Sequence, residues 1–77
     1  MKHFLEFVVR SLVDNPDDVQ VSEVPGERET SYRVGLHPDD VGLVIGKGGR
    51  TISAIRSVIN AANKGGSHLS VEVVENT

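Results

Sequence analysis

The chain contains no cysteine, which excludes both disulfide staples and thiolate metal sites. Aromatic rings are almost as scarce: Phe4, Phe7 and Tyr32 are the full set. A protein that holds nucleobases by stacking them on rings needs more than this, so any base contact here must be made another way. Long apolar runs are also missing. The longest, around Phe7-Val8-Val9, falls far short of a membrane span. The amino terminus lacks the basic region, extended apolar stretch and small-residue cleavage site of a secretory signal. A cytoplasmic location is therefore expected. His3, His37 and His68 match no metal-ligand spacing, so surface or capping roles are expected for them, with no metal and no other cofactor. The 77 residues have room for one core, and the expectation is a single domain over 1–77.

Basic residues do not dominate either. The formal net charge is −3, which by itself argues against general affinity for polyanions. Its distribution says something different. Positions 41–71 carry no acidic residue, and Lys47, Arg50, Arg56 and Lys64 all fall within them. A weakly acidic body with one locally basic segment suits a selective contact rather than a wrapped polyanion.

Helical periodicity opens the chain. Phe4, Leu5, Val8, Val9, Leu12 and Val13 form one stripe over residues 2–14, which Pro16 brings to a stop. Phe7 lies off that stripe and either packs under a loop or is exposed for a partner. Alternation over 19–24 and again over 30–36 predicts two antiparallel strands, joined by a turn at Pro25-Gly26-Glu27-Arg28-Glu29. His37-Pro38-Asp39-Asp40 reads as a helix start, with proline at the first position and two carboxylates complementing the dipole. Asp39 and Asp40 are thereby structural acids. Adjacent helical residues do not converge on one point, so a catalytic pair is disfavoured.

Val41, Val44 and Ile45 give this short helix an inward face, Leu43 points elsewhere, and Gly46 ends it. A second helix follows over 50–63, with Ile52, Ile55, Val58, Ile59 and Ala62 on its apolar side. Arg50, Ser53, Arg56, Ser57 and Asn60 lie opposite, and Ala54 and Ala61 lie at the border. Asn63-Lys64-Gly65-Gly66 is a helix stop, with a cation near the last carbonyls and a glycine free to take positive φ. Residues 68–75 alternate as a third strand, leaving Glu75-Asn76-Thr77 as a frayed tail. The order is α-β-β-α-α-β. The fold class expected is α+β, two layers, with three helices on one face of a three-stranded sheet.

Between the two later helices stands Val44-Ile45-Gly46-Lys47-Gly48-Gly49-Arg50-Thr51-Ile52. Glycines bring bare backbone N–H groups close to an anion, and Lys47 adds a cation, so the loop suits a phosphate. The nucleotide-binding P-loop pattern fails twice: Val41 occupies the first glycine position and Gly48 the hydroxyl position. The dinucleotide pattern requires a glycine where Thr51 stands, and it should follow a strand rather than a helix. What fits is G-x-x-G joining two helices, the device that clamps a nucleic-acid backbone. The glycines permit approach of a phosphodiester, Lys47 supplies a point charge, and Arg50 reaches a neighbouring phosphate. Gly42 and Leu43 on the first helix, with Ser53 and Ala54 on the second, are candidate walls of an adjoining base groove.

With its apolar-Ile-Gly-Lys-Gly-Gly-x-x-Ile frame and its element order, the chain resembles the KH domain family in the helix-first, type II arrangement. Its length and start are similar to those of small bacterial members with one domain. The resemblance covers nearly the whole chain and implies a mixed sheet whose two later strands run parallel. It implies binding of single-stranded RNA, with Lys47 and Gly48 against the sugar-phosphate backbone, and a role as an RNA chaperone or post-transcriptional regulator. It also implies a homodimer, or a heterodimer with a larger KH-containing protein that affects cell division and envelope growth. A competing reading is a dimerisation or adaptor module acting through protein contacts. No nucleophile–base pair, metal cluster or cofactor fingerprint supports an enzyme.

Overall fold

Three alternating segments build one sheet: β1 (Gln20–Pro25), β2 (Glu29–Leu36) and β3 (His68–Glu75). The computed structural model describes residues 1–63 and 66–76. β2 lies in the centre. β1 runs antiparallel to it, from Gln20 opposite Gly35 to Pro25 opposite Thr30. β3 runs parallel to it, from Glu29 opposite His68 to Leu36 opposite Glu75. β1 therefore extends through Pro25, one residue into the expected turn, and an edge strand is where a proline can be accommodated.

Alternation sorts the side chains between two faces. Val21, Tyr32, Val34, Leu36, Leu69 and Val71 are buried. The other face is open and polar, with Arg33 Nε 3.5 Å from Glu72 Oε2 and Ser70 Oγ donating to Ser31 Oγ at 3.0 Å. Both members of that ion pair are well exposed, so it adds little stability.

Three helices cover the buried face: α1 (Lys2–Leu12), α2 (Val41–Ile45) and α3 (Arg50–Ala62). They contribute Leu5 and Val9, Val44, and Ile52, Ile55 and Ile59 to a core shared with the strands. This is the α+β, two-layer architecture that the element order predicts. The apolar stripes are wider than the core needs. Phe4 and Leu12 are each 41% exposed and Val58 is 50% exposed, while Val8 and Val13 are only partly covered. Ala62 is exposed as well. Phe7, at 70% exposed, lies under no loop. No helix among the described residues is long and apolar enough to cross a membrane.

Connections are more ordered than composition suggests. α1 stops at Leu12, and Pro16–Asp18 form a 3-10 turn before β1. A second such turn, Pro38–Asp40, precedes α2, so the helical spacing starts three residues later than the proline does. His37 caps this turn by accepting from Asp39 N at 3.0 Å through Nδ1. The same nitrogen lies 3.8 Å from the Asp39 carboxylate. Asn76 is not frayed. Its N–H donates to Leu36 O at 2.8 Å and its Nδ2 to Asp18 O at 2.6 Å, which fastens the end of β3 to the sheet. Asn63 closes α3, donating its N–H to Ile59 O at 3.0 Å. The expected roles of Lys64, Gly65 and Thr77 lie outside the described residues.

Candidate functional site

α2 is five residues long because glycine ends it. Gly46 has φ 76° and ψ 170°, a conformation essentially restricted to glycine, and its N–H closes the helix on Gly42 O at 2.9 Å. Lys47–Gly49 then form one 3-10 turn, with Gly49 N donating to Gly46 O at 3.1 Å and Arg50 N to Lys47 O. Gly48 (φ 64°, ψ 18°) and Gly49 (φ 77°, ψ 14°) are left-handed, which costs any other L-residue roughly 1–2 kcal/mol.

The three glycines do different things. A Cβ on Gly46 would collide with the hydroxyl of Thr51 and lie 2.7 Å from its Cβ and 2.9 Å from its N. Gly46 is thus backed directly by the start of α3, and its missing side chain serves helix packing. A Cβ on Gly48 or Gly49 would meet no heavy atom within 4 Å. Those two glycines face open space, where a ligand can reach main chain. The sequence treats all three alike as openings for a phosphodiester; in the structure Gly48 and Gly49 are open and Gly46 is not.

Donors divide in the same way. Hydrogen bonds within the turn commit the N–H groups of Gly49 and Arg50. The start of α3 is therefore less open to an anion than a bare helix end. Neither bond of the turn uses the N–H groups of Lys47 or Gly48. Lys47, Gly48 and Arg50 are all exposed. Two exposed cations, Lys47 and Arg50, and two N–H groups outside the turn's own bonds thus fall within four consecutive residues.

The candidate groove residues are not all brought together. Gly42 and Leu43 lie on the exposed side of α2, opposite buried Val44. On α3, Ser53 precedes Arg56 and Asn60 by three and seven residues and so shares their strip of the helix. That strip meets β3: Arg56 Nη2 donates to Val71 O at 2.9 Å, and Asn60 Nδ2 donates to Leu69 O at 2.9 Å. Ala54 is on the other flank. It lines an apolar groove of about 300 Å³ between α1 and α3, with Val8, Leu12, Thr51, Ile55 and Val58. Ser53 and Ala54 therefore belong to two different surfaces, because neighbours in a helix are separated by about 100°.

Two further features escaped the sequence. Arg56 and Asn60 read as solvent residues on a helical wheel, yet they join α3 to β3. A wheel shows which side of a helix is apolar and not which strand runs beside its edge. Asp40 is the only polar or charged residue buried among the described residues. Its carboxylate accepts from Asp14 N at 3.3 Å, Asn15 N at 3.0 Å and Asn15 Nδ2 at 3.2 Å. It makes no side-chain hydrogen bond to its own helix, so the expected dipole role belongs to exposed Asp39 alone. Burial acts to raise the Asp40 pKa. The bonds from Asn15 and from the Asp14 main chain outweigh that and hold it below the ordinary carboxylate value.

Rings are no help at this site. Tyr32 is 3% exposed inside the core, and Phe4 and Phe7 stand on α1. Bases bound near the loop would rest on aliphatic and main-chain surface.

The profile of the KhpA/KhpB KH domain matches residues 2–73. The chain is 49% identical over 75 residues to an RNA-binding protein KhpA of Clostridium acetobutylicum, covering 96% of this chain and 100% of that one. It is 49% identical over 71 residues to the protein of the same name in Mycobacterium leprae, covering 92% and 86% respectively. With the one from Halalkalibacterium halodurans, identity is 50% over 62 residues, 80% of this chain and 82% of that protein.

Proposed function

The chain belongs to the KhpA/KhpB family of KH domains, and from that premise we propose that it binds short single-stranded RNA by clamping the sugar-phosphate backbone at Gly46-Lys47-Gly48-Gly49. The observation that carries this reading is the pair of left-handed glycines facing open space beside exposed Lys47, in a segment free of acidic residues over 41–71. The main chain at Lys47 and Gly48 donates to one phosphate, and Lys47 neutralises it. Arg50 reaches the next phosphate. Gly42, Leu43 and Ser53 flank the path of the bases. The unit is a binding module of residues 1–77 rather than an enzyme, working in the cytoplasm as an RNA chaperone or post-transcriptional regulator. Names of the relatives support the RNA part of this reading.

The test replaces Lys47 and Gly48 together by aspartate. Circular dichroism establishes that the variant folds, and fluorescence anisotropy reads its affinity for a short labelled RNA. Affinity is expected to vanish from a folded protein, because two anions then face the phosphates. Unchanged affinity would overturn the clamp.

A second reading, a dimerisation or adaptor module, is favoured by one observation. Leu12 and Val58 are exposed on the lining of the apolar groove between α1 and α3, and Phe4 is exposed on the same stripe of α1. Isolated exposed apolar residues are ordinary, but a contiguous set marks an interaction surface. We propose that this face pairs with a second KH domain, either another copy or a larger KH-containing protein. Val58→Asp tests it by sedimentation velocity: a sedimentation coefficient equal to that of the native chain, at concentrations where the native chain self-associates, would sink the proposal.

A further inference from the structure

The structure assigns Asp40 a part in RNA binding that its burial conceals: we propose that it is the positioning residue of the glycine loop. This inference rests on the loop being the RNA clamp.

α2 is the arm that carries the loop, and it is a weak arm. Five residues span only about 7.5 Å and cannot hold helical structure unaided. Val44 is the one wholly buried side chain among them. Val41 and Ile45 are partly buried against the core beside it, which seats the helix on the sheet, and its direction is set as well at its two ends. At the carboxyl end, Gly46 rests against Thr51.

At the amino end stands Asp40. An aspartate at this position ordinarily turns its oxygen onto the first turn of its own helix. Asp40 instead points away, and both oxygens are taken by Asp14 N, Asn15 N and Asn15 Nδ2. Those donors belong to the segment just after α1. That segment is fixed in turn, because Leu5 and Val9 are buried and Arg10 Nη2 donates to Val19 O at 3.4 Å. A buried carboxylate with three donors has one low-energy placement. Asp40 therefore pins the start of α2 to a part of the molecule that does not move with the loop. Any displacement of residue 40 is carried along α2 to Gly46 and changes where the Lys47 and Gly48 N–H groups point.

A merely structural residue would lower stability and leave the loop unmoved, which gives the experiment. Amide resonances of Gly46, Gly48 and Gly49 are recorded in RNA-free protein for Asp40→Asn, Asn15→Ala and the core control Val9→Ala. All are measured at a temperature where circular dichroism shows each variant folded. Asp40→Asn is expected to shift the glycine resonances and to weaken RNA binding about threefold to tenfold. Asn15→Ala, which removes one of the three donors, shifts them less and in the same direction. Val9→Ala leaves both readouts as in the native chain.

The proposal is overturned if the glycine resonances stay in place in both Asp40→Asn and Asn15→Ala, or if Val9→Ala shifts them equally. Should Asp40→Asn not fold, Asn15→Ala decides alone. Failure of the RNA clamp itself shows separately, as RNA affinity that survives the Lys47 and Gly48 aspartate pair.

Discussion

Asn60 faces Leu69 as another strand would: its Oδ1 accepts the Leu69 N–H at 2.9 Å and its Nδ2 donates to the Leu69 carbonyl at 2.9 Å. A side-chain amide on α3 thus satisfies the outer edge of β3 at that residue, and Arg56 does the same for the Val71 carbonyl. An exposed edge left bare invites pairing with other chains, and this one is covered where it begins. Asn60→Ala would leave both Leu69 groups unpaired and is expected to cost about 1–3 kcal/mol in urea unfolding. Asn60→Asp keeps the acceptor for the Leu69 N–H but turns a carboxylate oxygen toward the Leu69 carbonyl, so it is not expected to recover the loss. A loss under about 0.5 kcal/mol for the alanine variant, the range of ordinary surface changes, would contradict this role.

Stability should respond to acid through Asp40. Its folded-state pKa is held below the ordinary value, so its contribution is complete above the unfolded pKa, about 3.9, and is lost as pH falls through the folded one. The stability gap between the native chain and Asp40→Asn should be constant near neutrality and narrow below about pH 4. Thermal melts at a series of pH values measure it. A gap that widened toward acid would reverse the sign and refute the assignment.

The loop glycines should separate by readout. Gly46→Ala meets both an unfavourable conformation and Thr51, and is expected to lower stability by about 1–3 kcal/mol. Gly48→Ala meets only the left-handed penalty, about 1–2 kcal/mol, with nothing to collide with. Replacing Gly48 by aspartate should strike RNA affinity hardest. Calorimetry and RNA titration on the three variants distinguish the two classes, and a Gly48→Ala variant less stable than Gly46→Ala would dissolve the distinction.

Ionic strength offers an independent check on the clamp. With two to four phosphates contacted, the logarithm of affinity for a single strand should fall against the logarithm of salt with a slope of about −1.4 to −2.8. A flat response would remove phosphate contact from the mechanism.

Phe7 should matter to association and hardly at all to folding. At 70% exposed it loses little on truncation, so Phe7→Ser is expected to alter unfolding free energy by less than about 0.5 kcal/mol. Leu5→Ala, two residues earlier and wholly buried, should cost about 2–5 kcal/mol. Equal losses at the two positions would show that Phe7 is packed in solution.

These contrasts also mark what the sequence makes legible. Strand alternation finds β2 within one residue and β3 at both ends, because a half-buried sheet imposes period two on its side chains. The glycine loop is equally visible, since positive φ leaves glycine as the residue of choice. What stays hidden is whatever depends on a neighbour distant in sequence. Asp40 reads as a helix-start acid until Asn15 is placed beside it, and Asn60 as a solvated polar residue until β3 passes alongside. Phe4 and Leu12 sit on the stripe of α1 by periodicity, yet the side they face holds only a shallow groove. Periodicity reports that a residue is apolar in register; it does not report whether anything covers it.

The parallel pairing of β2 with β3 has a consequence for the order of events during synthesis. Helices α2 and α3, with the loop between them, are the crossover that joins these two strands. β3 supplies Leu69 and Val71 beneath them, and it carries the carbonyls to which Asn60 and Arg56 donate across from α3. A nascent chain that still lacks residues 68–75 has the glycine loop in its sequence but only part of the surface that holds it, lacking Leu69 and Val71. The geometry of the glycine loop is therefore expected to be complete only once β3 is paired with β2 beneath α2 and α3.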